Sequence, residues 1–147
     1  MITETEQFTL DIEWFFTDGN FIAFVTSAGG RLPNAISKSK ENVETLANYL
    51  GDLPIICEAA INPNLSRFIK KKDIDDQYLY DYIHFGMRGF YTYDKTTPGN
   101  FADDNFHLVT IPKTPLKLND LPSEIKAIIH TNTTFEIGEP FKVASFG

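Results

Sequence analysis

One cysteine, Cys57, stands among 147 residues, and a lone thiol excludes any internal disulfide and any cysteine-built zinc cluster. Its neighbours in IICEAAI are mostly apolar, so the sequence predicts a small buried thiol rather than a nucleophile. No run approaches the roughly 18 apolar residues that a membrane-spanning helix needs. The opening MITETEQF has neither a basic region nor an apolar stretch, so no secretory signal is visible and a cytoplasmic, non-membrane chain is expected. Positive charge is scarce too: 13 Lys and Arg stand against 20 Asp and Glu, a net charge of -7. That charge repels phosphate backbones, so no nucleic acid is expected as a partner; it suits solubility or a basic protein partner.

What is abundant is core material. Hydrophobic residues make up 42% of the chain, with 13 Phe and 6 Tyr, enough for a packed interior. There are no repeats and no linker, and the length fits one domain.

The stretch DIEWFFTDGNFIAFVTSAGG, Asp11 to Gly30, is the densest in information. Leu10, Ile12, Trp14 and Phe16 alternate with Asp11, Glu13, Phe15 and Thr17, a period of two that reads as a strand. Asp18-Gly19-Asn20 supplies a tight turn, and a second strand runs from Phe21 to Thr26. A two-residue loop at Asp18-Gly19 sets Phe16 opposite Phe21, Trp14 opposite Ala23 and Ile12 opposite Val25, which gathers one apolar face. Trp14 then reads as a core anchor. Phe15, Ile22 and Phe24 form the other face, which is either covered or an open binding patch.

Ser39 offers an N-cap to a helix with Val43, Leu46, Ala47 and Leu50 at helical spacing and Gly51 at its C′ position. Ile55 to Ile61 is ambiguous between helix and buried strand. A second helix follows from Ile74 to Phe85, ending at Gly86 or Gly89. FYTYD, Phe90 to Asp94, and Phe106 to Ile111 read as strands. Asn119 or Asp120 caps a short helix opened by Pro122, with Leu121, Ile125, Ile128 and Ile129 inward. The tail segments TFEI and FKVAS are edge strands or extended coil. The sum is a single α+β domain, residues 1–147: a mostly antiparallel sheet of four to six strands with two to four helices.

The motifs DIEWF, Asp18 and IAF-TSAG, then RGFYTYD at Arg88 to Asp94, then Pro115-Leu116 with Asp120-Leu121-Pro122, resemble in order those of a family of small bacterial proteins. The family has no assigned activity, so the resemblance implies a shared fold and no transferable site. Small acidic single-domain α+β proteins without catalytic motifs are also similar in kind to immunity proteins, which bind and neutralise toxin domains. That likeness is one of size and charge.

Catalytic chemistry finds little support. The three histidines, His84, His107 and His130, fall in different segments without the spacing of a zinc site. His84 and His130 each sit where a histidine favours a helix dipole. Ser27-Ala28-Gly29-Gly30 lacks the phosphate-loop and dinucleotide patterns, and Ser27 lacks the hydrolase elbow. Asp73, Asp75, Asp76 and Asp81 form one acidic cluster and Asp103-Asp104 another; the first lacks the glycine and terminal glutamate of a calcium loop, and Asp75 and Asp76 suit a helix N-terminus. No catalytic, metal or cofactor residue is assigned. The first functional expectation is a non-enzymatic interaction protein, immunity-like, that meets a basic partner through Asp75, Asp76, Asp81 and the exposed Tyr80. The alternative is a small-molecule-binding protein or enzyme with a pocket near Gly29, His84 and Arg88.

Overall fold

The computed structural model describes residues 1–134 and 136–146. Phe135, within the TFEI tail, lies outside them.

Chain order begins with a helix that periodicity does not announce, α1 (Glu4–Thr9), set by a capping box between Thr3 and Glu6. Leu10 ends that helix as its C-cap and is exposed rather than part of a strand. The hairpin follows as β1 (Glu13–Thr17) and β2 (Ile22–Thr26). Its faces are as the alternation predicts, but its register differs by two residues: Phe16 opposes Ala23 and Trp14 opposes Val25. The reason lies in side chains at the turn. Asp18 Oδ1 accepts the N–H groups of Asn20 and Phe21, Thr17 Oγ1 accepts the Gly19 N–H and donates to the Phe21 carbonyl, and Gly19 takes φ +99°. These bonds hold Asp18 to Phe21 as a four-residue loop.

After α2 (Asn34–Ser37), helix α3 (Lys40–Gly51) starts on Ser39, whose side chain accepts the Asn42 N–H. Gly51 is the last helical residue and Asp52 caps the end in a right-handed conformation, so Gly51 is not a left-handed terminator. IICEAAI yields only β3 (Ala59–Ile61), an edge strand. Ile55, Ile56 and Ile61 are exposed and Cys57 is half-buried, because this segment crosses the rim and not the core. Helix α4 (Asp76–Gly86) begins at Asp75; β4 (Tyr91–Lys95), β5 (Asn105–Pro112), α5 (Ser123–Lys126), β6 (His130–Thr131) and β7 (Phe141–Lys142) complete the chain.

The strands form one open sheet in the order β3-β5-β4-β2-β1-β6, with β7 also on β5. Most pairs are antiparallel; β2 with β4 and β1 with β6 are parallel. The α+β class is as expected, while the seven strands and five helices among the described residues exceed the expected ranges. The excess comes from two-residue strands and one-turn helices, too short for periodicity to register.

Both sheet faces are covered. Trp14, Phe16, Val25, Tyr93, Phe106 and Phe141 pack on one side. Phe15, Phe24, Leu46, Leu50, Phe85 and Phe90 pack on the other, beneath α3 and α4. Phe24 and Phe85 stack at 4.0 Å between centroids. The second hairpin face is therefore closed and is no binding patch.

Candidate functional site

Helical spacing sets Tyr80, Asp81 and His84 side by side on α4, where they face the end of α3. There they line a shallow groove with Glu13, Ala47, Asn48, Gly51 and Asp52. His84 Nε2 lies 3.3 Å from the Gly51 carbonyl; a carbonyl only accepts, so Nε2 carries the proton and the histidine satisfies a helix-end acceptor. Tyr80 is 71% exposed, which leaves its ring open to a partner. Glu13, Asp52 and Asp81 place three acidic residues along the same groove. Desolvation raises the Glu13 carboxyl above its ordinary pKa, and Asp81 and Asp11 raise it further. Among the described residues the ion pairs are Lys40–Glu6 and Lys113–Glu58. Neither neutralises this groove.

The groove unites residues from both functional expectations. Tyr80, Asp81 and His84 share it, while Asp75 and Asp76 do not line it. Asp75 caps α4, its side chain accepting the Tyr78 N–H at 2.8 Å, and Asp76 lies exposed in the first turn. The pocket suggested by Gly29, His84 and Arg88 is not assembled as one site. Arg88 Nη1 donates to the His84 carbonyl at 2.8 Å, which joins those two. Gly29 follows β2 and Arg88 precedes β4, and these strands run parallel, so the two residues sit at opposite ends of the pair. Gly29 is held there by its N–H to the Leu10 carbonyl.

A second polar cluster lies under α4, and sequence reasoning missed it. Asp94 is 6% exposed. Its Oδ2 accepts the Tyr78 hydroxyl at 2.7 Å and its Oδ1 accepts Thr26 Oγ1 at 3.1 Å. With Thr26 donating there, Tyr82 donates to Thr26 at 2.8 Å, so two hydroxyls donate to the carboxylate directly and a third backs one of them. Burial nonetheless raises the Asp94 pKa, against the lowering effect of those donors. His107 pairs with Asp94 across the β4–β5 ladder. It is fully buried, stacked on Phe68 at 4.9 Å, and desolvation pushes it down to about 4. Its Nδ1 meets Thr96 Oγ1 at 3.0 Å, and Nε2 has no partner among the described residues. The signal was an aspartate in a strand covered on both faces, since a buried carboxylate demands donors.

Among the described residues, no three His, Cys, Asp or Glu side chains come together to hold a metal ion, and no helix is long and apolar enough to cross a membrane. No protein-family model, curated protein or solved structure matches the chain.

Proposed function

We propose that the protein is a non-enzymatic interaction module that binds a basic protein partner through the groove between α3 and α4. The supporting observation is the exposed Tyr80 ring set along the same groove as Glu13, Asp52 and Asp81, with no cation paired to them among the described residues. Desolvation and the neighbouring Asp81 both disfavour the charged Glu13, and an Arg or Lys entering the groove supplies the opposite charge it lacks. An exposed tyrosine beside that charge supplies apolar area with a polar tip, the composition of a binding hot spot. An immunity-like role, in which the basic partner is a toxin domain, is the finer form of this proposal, as is membership of the small bacterial family.

The test compares immobilised wild-type protein with a Tyr80→Ala, Asp52→Asn, Asp81→Asn variant as baits for lysate of the source organism. All three positions are exposed, so the variant keeps its fold. The expected result is a basic protein retained by the wild type, released near 1 M salt where the screening length falls to about 3 Å, and absent from the variant. Recovery of the same proteins by both baits would overturn the reading.

A further inference from the structure

Strand β6 covers β1 only at Phe16 and Thr17. Beyond that pairing, a cavity of about 210 Å³ opens beside Trp14 and Phe15, between the α2–α3 corner and the stretch leading from α5 into β6. Trp14 is one of its walls, is wholly buried, and carries an Nε1 with no partner among the described residues. A buried donor without a partner is costly. Lys38, Asn42 and His130 also line the space, and their side chains make no hydrogen bond or ion pair among the described residues. Val43 and Ile129 supply apolar wall.

We propose that this cavity binds a small carboxylic acid with an apolar body. The Lys38 ammonium only donates, so the ligand head that meets it must accept. In a chain of net charge -7, this is a place where two basic side chains meet without an acid. Burial lowers the His130 pKa, and Lys38 lowers it further, so the ring is neutral at neutral pH and the Lys38 ammonium is the charge that an entering carboxylate pairs with. Size fits the same class, because dry cavities of about 150 Å³ accept benzene and this one is larger. The acid head meets Lys38, Asn42 and His130, and the body lies along Val43 and Ile129.

Trp14 is the only tryptophan in the chain, so a proton–nitrogen correlation spectrum holds one indole peak. Titration with benzoate should move that peak saturably. Benzamide and inorganic phosphate, which lack the charge and the apolar body respectively, should not move it. Lys38→Met, an exposed change at the end of α2, should weaken benzoate binding by about tenfold or more, the loss of a charged hydrogen bond. An indole peak unmoved by benzoate would overturn the proposal, as would an equal response to benzamide or phosphate, or unchanged affinity in Lys38→Met.

Discussion

The Tyr78 hydroxyl donates to Oδ2 of Asp94 across 2.7 Å, and that bond ties the first turn of α4 to the end of β4. Tyr78→Phe deletes one donor to a buried carboxylate. The expected loss at neutral pH is about 1.5–3 kcal/mol, the range for a hydrogen bond to a charged group. Because the Asp94 pKa lies above its ordinary value, the deficit shrinks as pH falls toward that raised pKa and the carboxyl becomes neutral. Urea unfolding of both proteins at several pH values checks this; a deficit independent of pH would refute it.

His107 gives a pH dependence of opposite sense. Its folded pKa is depressed from 6.5 to about 4, so the folded state favours the neutral ring. The associated stability is fully present above 6.5 and is lost as pH falls from there toward 4. The ring resonances of His107 should stay those of a neutral imidazole until pH nears 4, while an exposed histidine titrates near 6.5. A His107 midpoint near 6.5 would contradict the burial described.

Trp14 packs against Phe16, Phe106, Phe141 and Phe146 with centroids between 5.6 and 6.3 Å. Trp14→Ala should cost about 3–5 kcal/mol by chemical denaturation. A loss under about 1 kcal/mol would mean that the hairpin face is not the core of that side.

Gly86 marks a close approach of α4 to the sheet. A Cβ there would lie 2.6 Å from Ala59 Cβ and 2.9 Å from Thr110 Oγ1. Gly86→Ala should destabilise by about 1–3 kcal/mol through overpacking, despite the better helix propensity of alanine. A stabilised variant would show that the helix floats free of β3 and β5.

What the sequence made legible was what local periodicity encodes. The two hairpin faces followed from alternation, α3 from Ser39 and its apolar spacing, and α4 from its tyrosines and leucine. The hairpin register escaped by two because it was set by the Asp18 and Thr17 side chains bonding within the turn. Helix α1 escaped because only Gln7 among its residues is buried, although Thr3 and Glu6 spelled out its cap. Tyr80, Asp81 and His84 were legible singly, while their meeting with Glu13 and Asp52 depends on how α3 packs beside α4. The Asp94 cluster draws on β2, α4 and β4, and the Trp14 cavity on β1, α2, α3 and β6; no local pattern encodes such convergence.

The parallel pairing of β2 with β4 sets Ala23 beside Tyr91, 68 residues later in the chain. At synthesis rates of roughly 5–20 residues per second, the hairpin leaves the ribosome several seconds before its partner strand exists. During that interval Phe15, Ile22 and Phe24 have no α4 to cover them and the edge of β2 has no neighbour. A nascent chain of this kind offers a chaperone an aromatic, unpaired ribbon, and its folding waits on the arrival of RGFYTYD.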